Sequence, residues 1–133
     1  MRPCDAVDDD LTIVFVDDDD AMRELMIALV QRDLPNVRIS GFSNARGAWE
    51  RVNAGGVALV ITDCAMPGMD GFTLVRAIRA RLDAIPILMV SGTRDAEADA
   101  MDAGATRYLA KDRVTFDLVN CVRELLRLEP GES

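Results

Sequence analysis

"ALVITDCAMPGMDGFTLVRAIR", residues 58–79, carries the transition that decides the fold. The run from Val57 to Thr62 is short, apolar and partly β-branched, as expected of a strand buried on both faces. One carboxylate, Asp63, follows it. A turn rich in Pro and Gly comes next, and apolar residues then resume at helical spacing, with Phe72, Val75, Ile78 and Leu82 on one stripe. Asp70 and Gly71 read as the helix start, and Met66 and Met69 as fillers of irregular gaps.

The same alternation repeats on both sides. Thr12 to Val16, Val37 to Phe42, Ile87 to Val90 and Thr106 to Ala110 are further candidate strands. Between them lie helical stripes: Met22, Leu25, Met26, Leu29 and Val30 in the first, Ala45, Ala48, Trp49 and Val52 in the second. The stretch from Arg94 to Ala103 is alanine-rich and acidic, with Met101 as its one large apolar residue, so it is expected to be the least firmly packed helix. The last helix is predicted from about Val114 to Leu128, with Val114, Leu118, Val122, Leu125 and Leu126 on one face. Five strand–helix units in succession predict an α/β fold, a single doubly wound domain whose parallel sheet is covered by helices on both faces. Pro35 and Asn36, Gly55 and Gly56, Pro86, and Gly104 fall between elements. Residues 1–10 and 129–133 read as solvated tails, the second as a tail or the start of a linker, leaving 11–128 as the domain.

Composition narrows the function. The chain has 133 residues, half of them hydrophobic, which suits one domain with a real core. Fifteen basic against 23 acidic residues give a net charge of -8, which disfavours direct binding to nucleic acid or to an anionic membrane. The apolar runs are too short for a membrane span, and the N-terminus lacks the apolar core of a secretory signal, so a cytoplasmic location is expected. Cys4, Cys64 and Cys121 are widely spaced and read as reduced thiols, Cys64 as inert beside Asp63. With no histidine in the chain, a metal would be bound through oxygen.

In an open parallel sheet, ligands bind beyond the carboxyl ends of the strands. Asp17 and Asp18 follow the first strand, Asp63 the third, Ser91 the fourth and Lys111 the fifth, so these groups are expected on one edge. Carboxylates at close range raise one another's pKa and oppose folding unless a cation intervenes. Oxygen ligands with open positions suit Mg²⁺, which commonly shares its shell with phosphate. A carboxylate beside such an ion can attack phosphorus to give an aspartyl phosphate, with Lys111 and Ser91 contacting the transferred group. Asp19 and Asp20 read as caps of the first helix.

At these residues the sequence resembles the receiver domain of two-component response regulators, over about residues 11 to 128. The resemblance rests on "VFVDDDDAMRELM" (14–26), "ALVITDCAMPGMDGFTLVRAIR" (58–79), "PILMVSG" (86–92) and "DAGATRYLAK" (102–111). It implies a sheet of order 2-1-3-4-5 and a phosphorylation-dependent signalling switch that catalyses only its own phosphorylation and dephosphorylation. It implies Asp63 as phosphoacceptor and metal ligand, Asp18 as a direct Mg²⁺ ligand, Asp17 as one acting mainly through water, and Ala65 as a ligand through its backbone carbonyl, with Mn²⁺ able to substitute. Ser91 and Lys111 would contact the phosphoryl group, and Tyr108 would be the aromatic whose rotamer follows Ser91. The implied partners are a histidine kinase or histidine phosphotransfer protein and a downstream output protein or domain. The face made by the fourth helix, the fifth strand with Tyr108, and the fifth helix with Asp117, Asn120, Arg123 and Arg127 is the expected output surface.

Two positions depart from the family pattern. Lys111 is followed by Asp112 where proline is usual, and a cis bond without proline costs about 2.5–4 kcal/mol, so a trans peptide and a rearranged loop are expected. Ala65 stands where polar side chains are frequent; it can donate its carbonyl but cannot hydrogen-bond an attacking water. Two rival readings exist. Asp18 and Asp20 match the Asp-x-Asp spacing of haloacid-dehalogenase-type phosphatases, a reading that leaves Asp63 unexplained. The other is a receiver-like interaction module that is never phosphorylated.

Overall fold

The architecture follows from the alternation of side chains along the strands. In the computed structural model, which describes residues 11–81, 84–92 and 94–127, β1 (Thr12–Val16), β2 (Arg38–Phe42), β3 (Leu59–Asp63), β4 (Ile87–Ser91) and β5 (Arg107–Ala110) form one parallel sheet of order β2-β1-β3-β4-β5. Successive residues of a strand point to opposite faces. Val14, Val16, Val60, Ile87 and Met89 accordingly enter one core, and Ile13, Phe15, Leu59, Ile61, Leu88 and Val90 the other.

Each face is closed by helices whose apolar stripe matches it. On the first face lie α2 (Ala45–Asn53), α3 (Gly71–Arg81) and α4 (Glu97–Ala103), burying Ala45, Ala48 and Val52, then Leu74, Val75 and Ile78, then Ala100 and Ala103. On the second, α1 (Asp20–Asp33) and α5 (Val114–Leu126) bury Met26, Leu29 and Val30 and Val114, Leu118, Cys121 and Val122. Cys64 and Cys121 are buried free thiols; Cys4 lies outside the described residues, as do both expected tails, Leu82 and Leu128.

Several expected boundaries move. Val57 and Ala58 stay half-buried outside β3, which instead runs one residue further and takes Asp63 into the ladder opposite Val90. Val37 is buried but precedes β2, and Thr106 precedes β5, where its side-chain oxygen accepts from the Ile87 N–H. The stretch expected as one helix from Arg94 divides into a 3-10 turn, Arg94–Ala96, and α4. Ala96 at the α4 N-cap has no side chain able to satisfy the first amides, so the α-helical turn starts late. Met101 is 46% exposed, which leaves α4 anchored on two alanines.

A strap compensates at the far end of α4. Gly104 caps that helix at φ +119, a backbone region that side chains rarely adopt. Arg79, near the end of α3, donates from Nε to the Gly104 carbonyl at 2.7 Å, from Nη1 to the Ile85 carbonyl at 2.6 Å, and from Nη2 to Thr106 Oγ1 at 3.1 Å.

Candidate functional site

The strand register sets the site. Val16 is level with Thr62, Asp63 with Val90 and Ser91 with Ala110, so β1, β3, β4 and β5 deliver Asp17, Asp63, Ser91 and Lys111 to one edge. Asp17 is fully buried, Asp63 and Ser91 are 6% exposed, and Asp18 is open to solvent. One carboxylate oxygen from each of Asp17, Asp18 and Asp63 lies within 4.8 Å of the others.

The anchoring of these acids is largely local. Asp17 Oδ1 accepts from the Asp19 N–H at 2.9 Å, and Asp63 Oδ1 from the Cys64 N–H at 2.8 Å. Asp19 caps α1 by accepting from the Ala21 and Met22 amides, and Asp20, already inside the helix, pairs with Arg23. Asp20 is not among the three acids whose oxygens gather, so the cluster pairs Asp18 with Asp17 and Asp63 and not with Asp20 as in the phosphatase reading. Asp70 Oδ1 accepts from the Thr73 N–H at the start of α3. Gly71 is required by close approach: its N–H donates to the Cys64 carbonyl at 2.9 Å, and a Cβ there would fall 1.9 Å from the Asp63 carbonyl oxygen.

Lys111 joins the acids. Its Nζ stands 3.3 Å from both Asp17 Oδ2 and Asp63 Oδ2. Asp17 Oδ2 is buried without a well-aligned hydrogen bond, so charge alone satisfies it. Burial and then the Asp17 charge push the Asp63 carboxyl above its ordinary pKa, with Lys111 pulling the other way. For Lys111, burial opposes the charged form, but the charges of Asp63 and Asp17 outweigh it and raise the amine. Burial, reinforced by the Asp63 charge, pushes the Cys64 thiol up to about 11, which disfavours the reactive thiolate at neutral pH. Lys111 and Asp112 sit in a 3-10 turn, Lys111–Arg113, and no cis peptide occurs among the described residues.

Ser91 reaches sideways to both the Cys64 thiol and the phenol of half-buried Tyr108. Around Asp63 an open pocket of about 410 Å³ is walled by Ala65, Phe72, Ser91, Asp95, Asp99 and Lys111. Two contributors escaped the sequence reading. Arg23 Nη1 donates to the Asp17 carbonyl at 2.6 Å, tying the acidic pair to α1, and its spacing of three from Asp20 was the available signal. Arg79 gave no signal, because its partners are as far as 27 residues away.

A sequence family described as the response regulator receiver domain matches residues 13–123. The chain belongs to that family. Among curated proteins this receiver domain is 35% identical to chemotaxis protein CheY of Pseudomonas aeruginosa over 105 residues, 76% of this chain and 84% of that protein. It is 37% identical over 106 residues to a protein-glutamate methylesterase/protein-glutamine glutaminase of a Nocardioides species, but spans only 29% of that protein, and 54% of the Bacillus subtilis regulator CssR. Of the solved structures, response regulator TrrA of Thermotoga maritima, in complex with Mg²⁺ and BeF, superposes with a TM-score of 0.78 at 26% identity, covering 86% of this chain and 97% of that one. A receiver domain is typically a signalling switch that catalyses only its own phosphorylation, and membership in the family implies a kinase partner. The acidic triad with Lys111 is consistent with aspartate phosphorylation and fits Mg²⁺. No described helix is long and apolar enough to cross a membrane.

Proposed function

We propose that Asp63 takes a phosphoryl group from a phosphohistidine on a histidine kinase or phosphotransfer protein, and that the modified domain signals through the face formed by α4, β5 and α5. The observation that carries this reading is the equal reach of Lys111 Nζ, 3.3 Å to Asp63 and to Asp17. A buried acid pair with one shared amine has more negative charge than it can neutralise, and Asp17 Oδ2, held by the Lys111 charge without a hydrogen bond, suits a hard cation as a further partner. Asp17, Asp18, Asp63 and the Ala65 carbonyl would hold Mg²⁺, or Mn²⁺ in its place, which when bound neutralises charge on the phosphoryl oxygens.

The remaining roles belong to the chain. Asp63, held by the Cys64 amide through Oδ1, presents Oδ2 as nucleophile. Lys111, released from part of its ion pair, follows the charge onto the phosphoryl group, and the Ser91 hydroxyl turns from Tyr108 to donate to it. Tyr108 then repacks. Residues 11–128 are taken as the unit that does this, between an acidic tail at 1–10 and a tail or linker start at 129–133. The output face is more tightly paired than its sequence suggested: Arg113 binds Asp117, and Arg107 binds Glu124 across β5 and α5, so that of the four residues named on the fifth helix Asn120 and Arg127 are the exposed ones.

Incubation with Mg²⁺ and a small phosphodonor should add one phosphoryl group, labile at alkaline pH. Asp63→Asn should add none. A fully labelled Asp63→Asn protein would refute the assignment.

A further inference from the structure

The pocket beside Asp63 is asymmetric in charge. On the α3 side its wall is Phe72; on the α4 side it is Asp95, Ala96 and Asp99. The one cation among its described lining residues, Lys111, is already shared between Asp17 and Asp63. Asp95 and Asp99 are exposed and accept no side-chain ion pair from a described residue, so their charge projects across the pocket mouth. Among the described residues nothing on the apolar wall facing the two acids cancels that field, and clefts lined by one sign of charge concentrate ligands of the other.

The geometry points to Asp95 and Asp99 as specificity-determining residues that favour phosphodonors with a protonated nitrogen leaving group over acyl phosphates. This inference rests on Asp63 being the acceptor. In transfer from phosphoramidate, the Asp63 carboxylate oxygen forms the new bond to phosphorus while the P–N bond breaks; its electron pair goes to the protonated nitrogen, which departs as neutral ammonia. Positive charge is thus present at the leaving group on approach and is lost only with the bond. In transfer from acetyl phosphate the P–O bond breaks and acetate departs with the electron pair, so negative charge grows toward the same wall. The two acids attract the first donor and repel the second leaving group.

The test measures second-order phosphorylation rates with phosphoramidate and with acetyl phosphate, for the wild-type protein, Asp95→Asn/Asp99→Asn, and Asp102→Asn, which removes an exposed α4 charge that does not line the pocket. The double variant should slow with phosphoramidate and quicken with acetyl phosphate, moving the ratio of the two rates about 3- to 10-fold, as expected of solvent-screened charges near a site. Asp102→Asn should leave the ratio unchanged, and added salt should shrink the wild-type preference. An unmoved ratio in the double variant overturns the inference while leaving Asp63 as acceptor. An equal shift in Asp102→Asn overturns it too, by assigning the effect to overall charge. If neither donor labels the wild-type Asp63, the acceptor reading fails and this inference with it.

Discussion

Gly104→Ala is the substitution whose cost the structure specifies most fully. The native φ of +119 is outside the regions an alanine occupies comfortably, a strain of about 1–2 kcal/mol. The new Cβ would also stand 2.7 Å from Arg79 Cγ, so the arginine must shift. That shift puts at risk three hydrogen bonds, at 2.7, 2.6 and 3.1 Å, each worth about 0.5–1.5 kcal/mol net. Losing one or two of them, and allowing about 0.4–1 kcal/mol back from the stiffer unfolded chain, gives a net loss of roughly 2–3 kcal/mol. Urea denaturation should show this as a lowered midpoint at unchanged slope. The Arg79→Ala background separates the terms: without the side chain to clash, Gly104→Ala should cost only the backbone strain, and the double-mutant cycle should return about 1–2 kcal/mol of coupling. A cost below about 0.5 kcal/mol, or the same cost in both backgrounds, would refute the claim that Arg79 and Gly104 act as one strap.

Other measurements reach the site directly. Asp18→Asn should weaken Mg²⁺ binding, followed by titration, while the metal-free protein keeps or gains stability through relieved repulsion; a destabilised variant with normal Mg²⁺ affinity would mark Asp18 as structural. Amide exchange with beryllofluoride and Mg²⁺ should change most between Ser91 and Tyr108, with the helix from Met22 to Arg32 nearly silent, and equal change on both sides would count against a route through α4. With its thiol pushed up to about 11 against an ordinary 9.0, Cys64 should be alkylated about a hundredfold more slowly at pH 8 than in the unfolded chain, even before burial is counted. Its rate should climb tenfold per pH unit, so a pH-independent rate would show that access alone controls it.

How far the sequence reached depended on whether a residue's neighbours were near it in the chain. The two-faced strands were legible because their apolar residues alternate locally, and the edge that collects Asp17, Asp63, Ser91 and Lys111 followed from strand direction alone. Asp63 was expected to follow its strand, yet it occupies the last ladder position, because pairing with β4 continues one residue beyond the apolar run, while at the other end Ala58 gives β1 a single amide, to the Thr12 carbonyl, and stays outside the ladder. The late start of α4 was written in the missing N-cap at Ala96, a local signal that the alanine-rich composition hid. Arg79 and the Arg107–Glu124 pair were illegible for a different reason: they join segments that only the finished sheet brings together.

Gly71 gives the loop that follows Asp63 an unusual liberty. The chain leaves the sheet at Asp63 and returns to touch the same residue's backbone, with the Gly71 N–H on the Cys64 carbonyl. Residues 64–70 therefore form a ring whose ends are pinned to each other. Lengthening such a ring at its exposed rim, Pro67 and Gly68, would push chain outward without levering Asp63. Position 71 is therefore barred to any side chain, and at the rim Gly68, with a φ of +79, favours glycine for its backbone although the space around it is open. For an engineer the same closure offers a place to insert a reporter peptide beside Asp63.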